Sequence, residues 1–362
     1  MAGWGGGRSP WTPVVRDGKL YGRGGADDGY ATFASLLAIR AVREHGGKHK
    51  RCVGLIEGCE ESGSFDLPFY LEHLRARIGK PSLVVCLDSG SGNYEQLWVT
   101  TSLRGLVGGT LTVRVLEQGV HSGDASGIVP DSFRLARQIL SRLEDPETGR
   151  ILPADFYTEI PAARAEQAAK SSKVLGESLF ARFPYAGSTQ AMSADLTELV
   201  LNRTWRPFLT VTGADGLPPI SNAGNVLRPE TKLKLSLRIP PVVDSKVATA
   251  ALERLLSNDP PNGAPVSFHA EGAGDGWNAP ALAPWLETAL ERASQAFYQK
   301  PACYMGEGGT IPFMGMLGRE YPEAQFVITG VLGPNSNAHG PDEFLNMPTG
   351  KRVTETEARA LA

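Results

Sequence analysis

The chain has 362 residues, a length that fits two domains of ordinary size and is too long for a single small binding module. Hydrophobic residues make up 41% and charged residues 21%, a composition that supports a folded core and excludes wholesale disorder. The net charge is −3, and no block of like charge is long enough to follow a phosphate backbone, which argues against nucleic acid as a partner.

The cysteines and the first residues bear on the cellular compartment. The four cysteines are scattered, whereas a disulfide framework is dense and a zinc knuckle pairs its cysteines at short spacing. They are Cys52, Cys59, Cys86 and Cys303, and we expect reduced thiols in the core or near the site. No apolar run reaches the ~20 residues of a membrane helix, and residues 1–10 contain no apolar signal-peptide region. We therefore expect a cytoplasmic protein with no membrane partner.

The first hundred residues predict a parallel sheet covered by helices. From Asp27, apolar residues recur at three- and four-residue intervals until His45, which predicts a helix. A second helix is predicted over 67–78, and the continuous apolar runs 52–56 and 83–87 predict strands. Apolar strands with helices between them are typical of a parallel sheet that is buried on both faces.

Further along the chain the pattern changes to alternating apolar and polar residues, which predicts half-exposed antiparallel strands. The alternation occurs over 111–115 and 233–239, and more weakly over 265–271. Helical spacing lies between these stretches, at 131–143 and 245–256. These segments predict a layered α+β unit that differs from the first one.

The first pattern returns near the end of the chain, with a helix predicted over 282–297 and an apolar strand over 326–332. We therefore predict an α/β fold in which a doubly wound, mainly parallel sheet is interrupted by an inserted α+β domain. The doubly wound domain is assigned to residues 1–104 plus 275–362, and the inserted domain to 105–274.

Polar residues collect where predicted strands end or in the loops that follow them, which is where open α/β sheets place their sites. These clusters are Asp27-Asp28, Glu60-Glu61, Asp88 and His339. Converging carboxylates repel one another unless a cation lies between them, and oxygen with nitrogen ligands suits zinc, manganese or cobalt rather than calcium. The sequence therefore predicts a metal site.

Each cluster taken alone has a simpler explanation. Asp27 or Asp28 suits the N-cap of the helix that follows, and Asp88 suits a turn. A pair of glutamates is commonly part of a solvated loop. Only the combination of four clusters with complementary ligand types favours the metal site over these alternatives.

Six motifs in order along the chain resemble those of the two-zinc peptidases and deacylases. They are Tyr-Gly-Arg-Gly-Gly-Ala-Asp-Asp-Gly (21–29), Ile-Glu-Gly-Cys-Glu-Glu-Ser-Gly-Ser (56–64), Asp88, Gly-Val-His-Ser-Gly (119–123), Glu-Gly-Gly-Thr-Ile-Pro (307–312) and Asn-Ala-His-Gly-Pro (337–341). That family includes carnosinase, glutamate carboxypeptidase G, aminoacylase and succinyl-diaminopimelate desuccinylase. The long segment between His121 and Asn222 is most similar to the lid of the carnosinase-like dipeptidases.

The resemblance implies two divalent metal ions, most often zinc in this family, with manganese or cobalt as alternatives. Asp27 would bridge the two metals, Glu61 and His339 would complete the first site, and Asp88 would bind the second. Glu60 would be the general base that takes a proton from a water shared by the metals.

The resemblance also implies roles for the inserted domain as a lid and a dimerisation domain. His121 would reach into the neighbouring subunit's site and stabilise the oxyanion, which implies a homodimer. Arg238 would hold the terminal carboxylate of the substrate, and Asn222 would make a weak substrate contact. Backbone N–H groups for the same carboxylate would come from Gly308, Gly309 and Thr310.

The chain departs from the family pattern at its start. The opening His-x-Asp motif, which supplies a ligand of the second metal, does not occur before Asp27. The second site then keeps two protein ligands, Asp27 and Asp88, which is few for zinc. We interpret the loop-like start at Met1 as an N-terminal truncation of the catalytic domain.

The predicted function is metal-dependent hydrolysis of an amide bond in a dipeptide or an N-acyl amino acid, next to a free carboxylate. One alternative is an inactive fragment or pseudoenzyme that retains at most one metal. Another is a glycosidase that uses paired carboxylates and needs no metal.

Overall fold

The computed structural model describes residues 3–362, with the side chain of residue 312 left out, so Met1 lies outside the described residues. The strands are β1 (Val14–Arg16), β2 (Lys19–Tyr21), β3 (Leu83–Cys86), β4 (Trp98–Leu103), β5 (Gly105–Arg114), β6 (Val120–His121), β7 (Phe208–Asp215), β8 (Val226–Leu227), β9 (Glu230–Ile239), β10 (Val266–Gly274), β11 (Trp277–Asn278), β12 (Cys303–Glu307), β13 (Gln325–Ile328) and β14 (Phe344–Asn346).

Helices connect and cover these strands. They are α1 (Tyr30–Glu44), α2 (Leu67–His73), α3 (Arg75–Ile78), α4 (Ser122–Ala125), α5 (Ser132–Leu140), α6 (Ala162–Leu175), α7 (Ser178–Ala181), α8 (Leu196–Thr204), α9 (Ser245–Ser257), α10 (Pro284–Tyr298), α11 (Pro312–Glu320) and α12 (Met347–Leu361). In residues 3–362 none of the helices has both the length and the apolar character that crossing a bilayer requires.

The first unit is built on parallel strand pairs. Strand β13 pairs with β3 and β12 pairs with β4, both in parallel, and the Thr329 hydroxyl donates to the Trp98 carbonyl at 2.7 Å beside them. Phe326 packs in one core cluster with Met314 of α11, whereas Val327, the next residue of β13, packs in another with helix α10. The two pairs belong to separate small sheets, and helices cover both faces of the β3-β13 pair, as predicted for a doubly wound α/β fold.

The inserted unit is built on an antiparallel sheet of order β10-β5-β9-β7. In β9 every second residue is buried, so Leu235 and Leu237 face the core and Lys234 and Arg238 face away from it. Helices α5 and α9 cover the apolar face. The alternation predicted for residues 233–239 is confirmed.

The stretch 145–225, which has no clear sequence pattern, contains helices that pack on the first unit. Helix α6 contributes Ala168 and α8 contributes Val200 to one core cluster with Trp98 of β4 and Met305 of β12. The domain boundaries at residues 104 and 275 stay a prediction. In the structure α6 and α8 pack with the parallel strands of the first unit.

The predicted strand over 52–56 is wrong. These residues have no regular structure, and Val53, Leu55 and Ile56 are exposed, Ile56 by 76%. A strand is stable only when a neighbouring strand takes up its hydrogen bonds, and in residues 3–362 no strand pairs with this segment. Cys52 is likewise exposed rather than in the core, whereas Cys86 and Cys303 are buried as expected.

Candidate active site

Asp27 lies in a tight turn that leads into α1. Residues Gly25–Gly29 form a π-helical turn with non-helical backbone angles at Asp27 and Asp28, and the peptide bond between these two residues is cis. The N-cap of α1 is Gly29, and no side chain caps the helix. The simpler explanation of the two aspartates as helix caps is therefore wrong.

Glu60 and Glu61 lie in a 3-10 turn, Glu60–Ser62. Gly63 follows at φ 97°, a left-handed conformation that glycine adopts without strain. The Cys59 thiol donates to Asp66 Oδ1 at 2.7 Å, and this bond raises the pKa of the thiol to about 11. This contact joins the two ends of the turn that carries the glutamates, a role for Cys59 that was not predicted.

His339 meets Asp27 and Glu61 across long distances in sequence. Its Nε2 atom lies 2.9 Å from Asp27 Oδ2 and 3.0 Å from Glu61 Oε2, and the ligand atoms of all three residues lie within 4.8 Å of one another. Ligands of a tetrahedral zinc ion are separated by about 3.3 Å, because zinc bonds to nitrogen and oxygen are near 2 Å long. One imidazole nitrogen and two carboxylates at this spacing fit a zinc-type cation.

Two further carboxylates lie in the electrostatic field of this group. Asp88 lies just after the end of β3. The carbonyl of Leu87, between β3 and Asp88, accepts a hydrogen bond from the Tyr30 hydroxyl at 2.6 Å. Burial, and then the neighbouring carboxylates, raise the pKa of Asp88 to about 8 and that of Glu60 to about 7. Such a concentration of negative charge favours a bound cation.

A second group of side chains surrounds the turn after β12. Arg238 Nη1 donates to Thr310 Oγ1 at 3.1 Å, and this hydroxyl donates to the Arg104 carbonyl at 2.6 Å. The Arg104 guanidinium donates to the Gly308 carbonyl at 3.2 Å. A Cβ atom at Gly308 would come within 3.2 Å of Arg104 Nη2, so glycine allows this close approach.

This second group carries excess positive charge. Arg104 is 9% exposed, and burial together with the guanidiniums of Arg238 and Arg203 lowers its pKa to about 9. Arg203 forms an ion pair with Glu307. In the described contacts Arg104 and Arg238 have no carboxylate partner, an arrangement suited to an anionic ligand. Sequence reasoning missed Arg104, although a charged residue within the apolar junction of β4 and β5 is a usable signal.

His121 and Asn222 lie elsewhere in the inserted unit. His121 pairs with Val226 in the β6-β8 ribbon, and its exposed imidazole is 4.0 Å from the Asp124 carboxylate. Asn222 is exposed in a 3-10 turn, Ile220–Asn222. Neither belongs to the group of side chains that meets at His339 within the described chain.

The comparison with protein families decides the identity of the chain. A family model described as peptidase family M20/M25/M40 matches residues 1–362. The chain belongs to this family. It is a hydrolase of a metallopeptidase family, and the prediction from the six motifs is confirmed.

Relatives and solved structures agree with this assignment. A cysteinylglycine-S-conjugate dipeptidase of Corynebacterium striatum is 28% identical over 96% of this chain and 74% of its own length. A beta-Ala-His dipeptidase of Homo sapiens is 24% identical over 93% of this chain and 67% of its own length.

The fold is similar to that of two solved dipeptidases. The di-peptidase Dug1p of Saccharomyces cerevisiae has a TM-score of 0.78 at 20% identity, over 99% of this chain and 75% of that one. Human carnosine dipeptidase 1 has a TM-score of 0.72 at 22% identity, over 99% of this chain and 76% of that one. These likenesses confirm the fold class.

Proposed function

We propose that the chain is a metal-dependent dipeptidase that cleaves an amide bond next to a free carboxylate. The observation that carries this proposal is the meeting of His339 with Asp27 and Glu61, at 2.9 and 3.0 Å. Dipeptidase relatives that align with 96% and 93% of the chain support the substrate class.

The first cation would be held by Asp27, Glu61 and His339, and a second by Asp27 and Asp88. We propose zinc for both, with manganese and cobalt as alternatives because they accept the same donor types. A bound divalent cation supplies Lewis acidity, which polarises the scissile carbonyl and lowers the pKa of a water molecule.

Glu60 would move the proton during hydrolysis. It precedes the proposed ligand Glu61 in the same turn, is partly buried and is not one of the three residues that meet at His339. Its carboxylate would take a proton from the attacking water, whose oxygen bonds to the carbonyl carbon. The same proton would then pass to the leaving nitrogen as the carbon–nitrogen bond breaks.

The arginine-rich group would orient the substrate. Arg238 would form a forked pair with the terminal carboxylate, beside the Thr310 hydroxyl and the backbone of Gly308 and Gly309. Arg104 would hold the turn through its bond to the Gly308 carbonyl. Asn222 would add a weak substrate contact.

The proposal includes a homodimer formed through the inserted domain. The His121 imidazole is exposed, so it is available to stabilise the oxyanion in a neighbouring subunit's site. Mixing His121→Ala chains with Glu60→Gln chains should restore part of the activity, because each mixed dimer then retains one intact site. Mixtures that stay as inactive as their components would contradict the action of His121 across subunits.

Two neighbouring substitutions test the proposed metal and base roles. Glu60→Gln should abolish turnover of Cys-Gly and β-Ala-His dipeptides while the metal content per chain stays unchanged. The matched variant Glu61→Gln should lose metal as well as turnover, because it removes a ligand. Metal analysis of the purified chains measures the metal content, and assays with dipeptides and N-acyl amino acids measure the turnover.

The same assays separate the alternatives. Dipeptide turnover that resists chelators would contradict a metal-dependent mechanism. A chain that binds one metal and hydrolyses nothing would favour the inactive fragment. Exchange of the phenotypes of the two glutamate variants would mean that base and ligand have been assigned the wrong way round.

A further inference from the structure

The small sheet β1-β2-β14 joins two parts of the proposed site that are more than three hundred residues apart. Tyr21, the last residue of β2, pairs with Phe344, the first residue of β14. The backbone N–H of Gly22 then donates to the Glu343 carbonyl at 3.1 Å. Arg23 and Glu343 therefore leave the sheet side by side.

These two residues lie close in sequence to two proposed metal ligands. Arg23 lies four residues before Asp27, and Glu343 lies four residues after His339. The register of the sheet thus fixes how the Asp27 turn and the His339 loop face each other.

Glu343 is fully buried, and both of its carboxylate oxygens have partners. Oε2 accepts from Arg23 Nη1 at 2.7 Å, and Oε1 accepts from the backbone N–H groups of Ala26 at 3.2 Å and Asp27 at 3.3 Å. Arg23 Nη2 donates to the Gly340 carbonyl at 2.5 Å. This ion pair, buried at Glu343 and partly exposed at Arg23, therefore holds both the backbone of Asp27 and the residue next to His339.

The His339 loop needs such a restraint. His339 has φ 62°, and Asn337 and Asp342 have φ 56° and 58°, which are left-handed conformations that non-glycine residues rarely adopt. A loop with several such residues keeps one shape only when the surrounding structure fixes it. Arg23 and Glu343 supply that connection through the Gly340 carbonyl.

We propose that Arg23 and Glu343 are positioning residues that set the distance between Asp27 and His339 and thereby the affinity of the first metal site. This role rests on the proposed function, because it requires a metal at these ligands. Neither residue is itself a proposed ligand. Their effect is to keep the carboxylate and the imidazole together before the cation binds.

The test measures cobalt(II) binding to the full chain by calorimetry and by the visible absorption of the bound ion. Glu343→Gln keeps the size of the side chain but removes the charge that faces Arg23 and both backbone N–H groups. We expect a 10- to 100-fold loss of cobalt affinity and altered absorption bands, the usual effect of losing a residue that orients a ligand.

A neighbouring ion pair provides the control. Asp342 anchors the same loop through Arg8 at 2.9 Å and Gly5 at 3.1 Å and does not contact the Asp27 turn in the described contacts. Asp342→Asn should change cobalt affinity less than about threefold, and its absorption bands should be those of the unchanged chain. Equal losses in Asp342→Asn and Glu343→Gln would overturn the positioning role, since any damage to the loop would then suffice.

His339→Ala separates failure of the inference from failure of the site. Loss of cobalt binding in His339→Ala with normal affinity in Glu343→Gln would overturn the positioning role alone. A chain whose cobalt binding is absent, or is indifferent to His339→Ala, would overturn the proposed site together with this role. If Glu343→Gln does not fold, the double variant Arg23→Gln, Glu343→Gln leaves no unpaired buried charge and should show the same loss.

Discussion

Glu357 offers a quantitative test of burial in this fold. It lies in α12 where this helix packs against α1, is 7% exposed, and its Oε2 atom has no hydrogen-bond partner in the described structure. Burial raises its pKa from 4.5 to about 7, against the opposing effect of a hydrogen bond with Ser35. The folded chain therefore keeps a proton that the unfolded chain releases.

The size and the sign of the effect follow from these two pKa values. A difference between 4.5 and about 7 corresponds to about 3 kcal/mol, at ~1.36 kcal/mol for each pH unit. Because the folded state binds more protons in this window, the free energy of unfolding falls as pH rises from 4.5 to 7. Below pH 4.5 the carboxyl is neutral in both states and has no such cost.

Glu357→Gln should remove this dependence. Urea unfolding of both proteins between pH 4 and 8 should show the variant gaining about 3 kcal/mol relative to the unchanged chain as pH rises, whatever the difference at pH 4. Glu355→Gln, at an exposed position on the same helix, should not change how the free energy of unfolding depends on pH. A stability difference that stays constant across this range would refute the reasoning.

Three further changes test other contacts. Arg238→Lys should raise KM for free dipeptides about tenfold or more, because a lysine cannot form the forked pair with a carboxylate, and should leave KM for C-terminal amides nearly unaffected. Equal effects on both substrates would argue against carboxylate binding. Tyr30→Phe should lower the free energy of unfolding by about 0.5–1.5 kcal/mol through loss of the bond to Leu87, measured in urea. Leu237→Ala should lower the free energy of unfolding by about 2–5 kcal/mol, because the side chain is fully buried. Ser236→Ala, on the other face of β9, should lower it much less, and similar losses in the two variants would contradict the assigned faces.

Much of the fold could be predicted because local patterns report burial. The alternation over 233–239 reflects one covered face, and the apolar run over 83–87 reflects a strand covered on both faces. The run over 52–56 is also apolar but forms no strand, because strand pairing depends on the neighbouring segments and not on the segment alone.

The candidate site was predictable only in part. The motifs named Asp27, Glu61 and His339 as candidate ligands, and in the structure their ligand atoms lie within 4.8 Å of one another, while their roles stay predictions. Arg104 and Glu343 escaped notice because their contacts are with distant backbone atoms, which composition and spacing do not encode.

The packing of α6 and α8 on the parallel strands changes the number of chain crossings between the two units. Phe156 lies in the core of the antiparallel sheet and Ala168 in the core with β12, so the chain crosses between these residues and again between α8 and β7. Together with the junctions near Gly105 and Gly276, four segments connect the units. A rigid rotation of the antiparallel sheet must bend all four, and it would separate Arg238 from Thr310 while Arg203 on α8 stays with Glu307.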